Sequence, residues 1–366
     1  MSIRILHVIN DVSIEMRYGG PAMNCLRHSK FLESKDTQVT VWGTYSSSPL
    51  PYEGSLKIFR KNRVYLSRFR FTFQFHVSNF LSLFCAIKST DLVHVHFARE
   101  MNPVLASLIT ILLRKKLVLQ THGMIVKNQG FFYRLWDLVF TNWIFSKSSV
   151  VLPLQKMEEL DLRDFPIKCF HIVPNGIEVS DSFKCVENRE GIVFISRIHE
   201  RKRPGVFLDA ATKIRSGGYS GSFGIYGEDA GYLPQLVDRL KRVEASGWYK
   251  GGVSQVRAVE ILSSAELLIL PSFHEPFPMV VLESLTVGTP VVIMNDCGIA
   301  DIVAKLDPLF VCSPIPYEIS VNTLEIISKY RTLESRIELA LKARQLFSLS
   351  RTIEGFKAAY AIAGVS

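Results

Sequence analysis

Apolar positions along this chain fall into short continuous runs, separated by longer stretches of helical period. Residues 3–9, 38–42, 92–96, 117–120, 150–152 and 170–173 form such runs in the first half, and 192–196, 222–226, 248–253 and 266–270 in the second. Each is too short for a helix and is bounded by Gly, Pro or polar residues, so each reads as a strand buried on both faces. The intervening stretches predict helices, and strict βα alternation predicts doubly wound parallel sheets. Two helical stretches are unusually apolar. Val77, Phe80, Leu81, Phe84 and Cys85 form one stripe at helical spacing, and residues 131–145 carry Phe131, Phe132, Tyr133, Trp136, Trp143 and Phe145. Core packing is expected to absorb most of these side chains. Residues 333–363 keep a helical pattern to the end of the chain.

Residues 271–290, PSFHEPFPMVVLESLTVGTP, organise the second half. Pro271 ends the run at 266–270, and Pro276 and Pro278 forbid a helix through the loop. Proline suits a helix's first turn, however, so a short helix is expected from about Pro278 to Val287, stopped by Gly288. The N–H groups of Met279, Val280 and Val281 would then lack helical partners and could bind an anion, favoured also by the helix dipole. Glu275 and Glu283 are eight residues apart and would lie roughly 80° apart around one helix axis. They read as two carboxylates with separate jobs; the competing reading is a helix-capping Glu275 and a solvated Glu283.

Length and charge narrow the setting. A chain of 366 residues, 48% hydrophobic, is enough for two packed domains. No stretch approaches the roughly 20 apolar residues of a membrane span, and the start reads as a first strand with no signal-peptide layout. Cys25, Cys85, Cys169, Cys185, Cys297 and Cys312 show no metal or redox spacing, which points to a reduced, cytoplasmic protein. The net charge of +9 is one-sided: residues 1–180 hold 22 Lys and Arg against 13 Asp and Glu, and the remainder balances. Residues 54–90 contain no acid, yet carry Lys57, Arg60, Lys61, Arg63, Arg68, Arg70 and Lys88. An anionic membrane surface fits this run, at about 1 kcal/mol per basic residue. Nucleic acid competes for the charge, but the chain has no recognised binding module.

The segment E-P-F-P-M-V-V-L-E-S-L-T-V-G-T-P-V-V resembles the E-x7-E signature of the retaining, nucleotide-sugar-dependent glycosyltransferases of family 4. The resemblance implies a GT-B fold, an α/β architecture of two Rossmann-like doubly wound domains facing across a cleft. It implies an N-terminal acceptor-binding, membrane-facing domain at 1–175, a nucleotide-sugar-binding domain at 176–345, and a last helix at 346–366 returning to the first domain. Gly19-Gly20, after the first strand, matches a Gly-Gly loop facing donor and acceptor. His122, in Thr121-His122-Gly123, stands where the family has a His-Gly pair against the transferred sugar; without the resemblance it would read as a satisfied loop histidine. Asn175 belongs to a similar Pro-Asn-Gly-Ile turn at the domain junction. Arg197 and Lys202, in SRIHERKRP, match the Arg and Lys that hold the leaving diphosphate, with Ser196 and Arg203 replacing the usual glycines. Glu275 would lie beside the sugar and Glu283 on the ribose hydroxyls. Phe277, Met279 and Val280 would line the donor, with Pro278 where many members have Gly. His94 and His96 share one strand face; His96 is expected to line the acceptor side, and a metal role lacks a third ligand at helpful spacing.

Donors preset for charge on the departing diphosphate are worth the most in such a transfer. Arg197 and Lys202 supply that charge, and the chain has no Asp-x-Asp metal motif, so no metal and no other cofactor is expected. The expected donor is a UDP or GDP sugar, and the expected acceptor a lipid-linked glycan of surface polysaccharide at the inner face of the membrane. A soluble acceptor, or a non-catalytic protein of the same fold, are the alternatives.

Overall fold

The computed structural model of the chain describes residues 2–12, 20–45, 55–60, 77–126, 130–178 and 186–365, with the backbone alone over 55–60 and 77–79. Two compact units emerge, Met1–Gly176 with Leu349–Ser366, and Ile177–Ser348. In the first, the elements run β1 (Ile3–Asp11), α1 (Gly20–Leu32), β2 (Thr37–Tyr45), β3 (Ser55–Arg60), α2 (Val77–Lys88), β4 (Leu92–His96), α3 (Met101–Leu112) and β5 (Lys116–Gln120). They continue through α4 (Phe131–Trp136), a π-helical turn at Asp137–Thr141, α5 (Asn142–Lys147), β6 (Val150–Leu152) and α6 (Lys156–Leu162). The second unit contains β7 (Ile192–Ile195), α7 (Pro204–Ser216), β8 (Phe223–Tyr226), α8 (Leu233–Arg242), β9 (Tyr249–Gly251), α9 (Gln255–Ser264) and β10 (Leu267–Leu270). After these come α10 (Met279–Thr286), β11 (Val291–Met294), α11 (Ala300–Ala304), β12 (Val311–Cys312), α12 (Pro316–Lys329) and α13 (Leu333–Leu346). The closing helix, α14 (Leu349–Ile362), belongs to the first unit.

Both sheets are six-stranded and parallel, in the orders β3-β2-β1-β4-β5-β6 and β12-β11-β10-β7-β8-β9. Successive side chains alternate between faces. In the first unit Leu6, Val8, Val93, Val95, Leu117 and Leu119 pack under α2, α3 and α5. Ile5, Leu92, Val118 and Val150 face α14 through Phe356 and Tyr360. Strand order reverses between β1 and β4, and between β7 and β10. At such a switch point adjacent loops leave the C-terminal ends of the strands in opposite directions and open a crevice suited to ligands.

Several expectations are corrected. Residues 170–173 form no strand; Phe170 makes a single bridge to Val151. Strands β3, β11 and β12 went unpredicted, being an edge segment, an ambiguous apolar run and a two-residue pair. The stripe on α2 is rotated: Leu83, Ala86 and Ile87 are buried, while Leu81 and Cys85 are exposed. A helix apolar all round leaves its inward face to be chosen by its neighbours. Residues 131–145 are not mainly core-facing: Trp136 and Phe145 are buried, but Phe131, Phe132, Leu135, Leu138, Val139 and Trp143 are exposed. Lys61, Arg63, Arg68 and Arg70 of the basic run lie outside the described residues, as does Gly19. Residues 333–363 are helical as expected, in two helices that part around Phe347 and Ser348.

Candidate active site

In the second unit, the loops after β7 and β10 flank the switch point. The β7 loop contains Arg197 and Lys202. Its close passage past β8 depends on Gly227, where an added Cβ would sit 1.8 Å from the Ser196 carbonyl oxygen. Arg203 takes a left-handed backbone, φ 49°. A residue without a Cβ adopts that region freely, which is the physical reason glycine suits this position. The β10 loop is pinned by Gly298 N–H to the Glu275 carbonyl, 2.8 Å, and by His274 N–H to Asp296 Oδ2, 3.2 Å. His274 is also left-handed, φ 43°.

These loops bring Lys202 and Glu275 together. Lys202 Nζ donates to Glu275 Oε2, and the two side chains keep only 11% and 12% of their surfaces exposed. Arg201 Nη2 stands 4.0 Å from the same oxygen. Burial lowers the Lys202 pKa, Glu275 opposes that shift, and Arg201 and Arg197 reinforce it. Arg197 itself is exposed at the end of β7. Helix α10 begins at Met279, and its N-cap, Pro278, makes no side-chain capping bond, so Glu275 is not a helix cap. The expectation for Val281 fails, because its N–H is taken by the Pro278 carbonyl at 3.1 Å. The turn tightens onto that carbonyl, which leaves Met279 and Val280 as the first-turn donors. Glu283 is not a solvated helix residue: it is 7% exposed and accepts from Gln255 Nε2 at 2.8 Å. Gln255, first residue of α9, was missed; no local pattern marks it, since only the fold brings it 28 residues to its partner. Phe277 is buried behind this turn.

In the first unit, His122 follows β5 with φ 51° and is buried. Its loop is held by Glu158 of α6, which was also missed. Glu158 Oε1 accepts from the Thr121 hydroxyl and the Gly123 N–H, and Oε2 from the Leu154 N–H at 2.7 Å. Burial raises the Glu158 pKa and these three donors oppose the rise. Glu158→Ala would strand two buried donors, the Thr121 hydroxyl and the Leu154 N–H, at about 1–3 kcal/mol each, besides the half-buried Gly123 N–H. The variant is expected to lose on the order of 3 kcal/mol or more in urea denaturation; a loss below about 1 kcal/mol would show that water replaces the carboxylate.

His96 Nδ1 lies 2.7 Å from His122 Nε2, and His96 Nε2 lies 3.1 Å from His7 Nδ1. A third imidazole therefore does approach the β4 pair: His7, His94 and His96 each bring one ring nitrogen within 4.8 Å of the others. Among the described residues no carboxylate hydrogen-bonds to them, and all three are buried. A divalent ion there would be desolvated without an anion to neutralise it. Hydrogen bonds already occupy five of the six ring nitrogens. Gly20 starts α1. Asn175 is buried at the end of the first unit, its Oδ1 without a partner among the described residues.

Residues 178–343 match the family "Glycosyl transferases group 1", and residues 18–181 match "Glycosyltransferase Family 4". A D-inositol 3-phosphate glycosyltransferase of Mycobacterium leprae is 33% identical over 107 residues, 28% of this chain and 24% of that one. A putative teichuronic acid biosynthesis glycosyltransferase of Bacillus subtilis is 25% identical over 233 residues, 60% of this chain and 57% of that one. The chain thus matches about a quarter to just over half the length of these relatives. Among solved structures, the Anabaena HepE protein in complex with UDP and glucose superposes with a TM-score of 0.75 at 14% identity, covering 98% of this chain and 99% of that one. The paired parallel sheets are thus those of GT-B proteins, and the chain belongs to the group 1/family 4 glycosyltransferases.

Proposed function

We propose that this protein transfers a hexosyl-type sugar, with retention of anomeric configuration, from a UDP or GDP sugar to a lipid-linked glycan in surface polysaccharide assembly. The observation that carries this reading is the buried Lys202–Glu275 pair at the switch point of the second sheet. When the bond from C1 to the diphosphate breaks, negative charge collects on the phosphate oxygens. Lys202, Arg197 and the N–H groups of Met279 and Val280 are the fixed positive groups for it. Glu275 sits beside the sugar and Glu283 takes the ribose hydroxyls. Fixed cations do the work a divalent ion does elsewhere, so the transfer is metal-independent. The Anabaena protein, determined with UDP and glucose, and the teichuronic acid relative support the donor and pathway classes.

Attachment to the inner face of the membrane is supported by the basic excess of the first half and by the exposed Phe131, Phe132, Leu138 and Trp143. Aromatic side chains with a polybasic run bind anionic bilayers reversibly. No helix among the described residues is long and apolar enough to cross a membrane.

The test is a thermal-shift screen of UDP, GDP and ADP sugars followed by a transfer assay. A cognate donor at 100 times its Kd should stabilise by about 2.7 kcal/mol. Transfer should survive EDTA; silencing by EDTA would remove metal independence. Vesicles containing phosphatidylglycerol should sediment the protein at low salt, less so after neutralising Arg60, Lys61 and Arg63. A pellet indifferent to lipid would favour a soluble acceptor.

A further inference from the structure

A histidine chain ends on His122. Tyr360 Oη lies 2.8 Å from His94 Nδ1 and 3.3 Å from His7 Nε2. His7 Nδ1 then meets His96 Nε2 at 3.1 Å, and His96 Nδ1 meets His122 Nε2 at 2.7 Å. Two strands, a loop and a helix supply it: His7 from β1, His94 and His96 from β4, His122 from the loop after β5, and Tyr360 from α14. Register explains the convergence. His7 is directly opposite His94 across β1 and β4, and His96 is two residues further on the same face. Desolvation holds His7 and His122 to pKa values of about 3 and the other two well below the ordinary value. All four rings are therefore neutral near pH 7.

A neutral imidazole has one N–H and one lone pair. Once one ring's proton is placed, each imidazole contact dictates the next, and because the buried Tyr360 proton must also find an acceptor, the whole chain has only two settings. In one, His94 Nδ1–H donates to Tyr360, Tyr360 O–H to His7, His7 Nδ1–H to His96, and His96 Nδ1–H to His122. In the other every proton is reversed. The two differ at the far end, His94 Nε2, which is buried and makes no hydrogen bond among the described residues, with only the equally unpaired Gln120 amide exerting a weak influence on its ring. The first setting leaves a bare lone pair there and the second an orphaned N–H. A buried unpaired donor is the rarer and costlier of the two.

We propose that Tyr360 is a positioning residue which, through His7 and His96, fixes His122 as its Nδ1–H tautomer, so that its Nδ1 offers a hydrogen-bond donor. This rests on the reading that His122 faces the transferred sugar. The recipient class on that reading is a sugar hydroxyl oxygen, which accepts from the Nδ1–H.

Nitrogen-15 NMR of histidine-labelled protein tests it, with a His122→Asn sample for assignment. The wild-type protein should show His122 as one tautomer, Nδ1–H. Tyr360→Phe removes only a hydroxyl and should leave a mixture of tautomers, with kcat for transfer lowered about 10-fold or more and UDP binding unchanged. Phe356→Leu, on the same buried face of α14, controls for lost packing; it should destabilise the fold without altering the His122 signal. A His122 signal identical in wild type and Tyr360→Phe overturns the proposal. So does an Nε2–H tautomer in the wild type, or a stoichiometric metal bound by the three buried histidines. The tautomer change with unaltered transfer would leave the chain standing but overturn the role of His122 at the sugar, which separates the two failures.

Discussion

Lys202→Ala is expected to lower the rate of sugar transfer by about 10²–10³-fold, the usual loss when one preset donor to a developing anion is removed. Its side chain is almost enclosed and is shared with Glu275, so no mobile surface lysine can replace it. Nucleotide affinity should fall as well, because the diphosphate loses a cation in the bound state and in the transition state alike. Glu275→Ala should abolish transfer while leaving UDP affinity largely intact. Without Glu275, Lys202 keeps only the influences that lower its pKa, burial and the neighbouring Arg201 and Arg197. The double variant should cost less than the two losses added together, as for any pair in contact. Single-turnover kinetics with measured UDP binding would separate these outcomes. Full activity in Glu275→Ala would remove that carboxylate from the chemistry.

Acidification is the second large effect. His7, His28, His94, His96 and His122 are all buried, and all have pKa values lowered chiefly by desolvation. The unfolded chain takes up protons below pH 6.5, where the folded histidines refuse them down to about 3 for His7 and His122. Folding stability is thus intact above pH 6.5 and is lost as pH falls from there toward 3. The loss is about 1.4 kcal/mol per pH unit for each excluded proton. Three such histidines would remove about 6 kcal/mol by pH 5, comparable to the whole stability of an ordinary domain. Glu158 acts oppositely, since a carboxyl held above its ordinary pKa gains a proton more readily in the fold. Melting temperature should therefore be flat from pH 8.5 to 7 and drop steeply by pH 5. His28 offers the control, because both its ring nitrogens are buried without partners and its ring meets Phe356 edge-on at 5.1 Å. His28→Leu should remove one proton from the slope and hold the fold together at lower pH. Melting that does not change between pH 7 and 5 would contradict neutral burial of these rings.

Local chemistry made some of this legible. The loop prolines and Gly288 marked α10 from sequence, and the helix runs Met279–Thr286 with Gly288 left-handed at φ 74°. Continuous apolar runs marked β1, β4, β5, β6, β7 and β10, because a strand covered on both faces must be apolar throughout. The same rule could not classify residues 291–294, nor choose which side of α2 turns inward. Those depend on neighbours far away in the chain. The charge density of residues 54–90 was visible at once, whereas the apolar exposure of Phe131 and Trp143 was not, since an aromatic looks alike in a core or on a surface.

The sequence by itself determined two parallel α/β folds and the residue types at the β7 and β10 loops, since period, proline and glycine act over a few bonds. Tertiary structure alone decided the strand order, the clamp of Glu158 on the His122 loop, and the meeting of Lys202 with Glu275, 73 residues apart. It also joined Tyr360 to His7 across 353 residues. Such contacts are chosen by register and packing summed over a whole sheet, and no short stretch of chain contains that information.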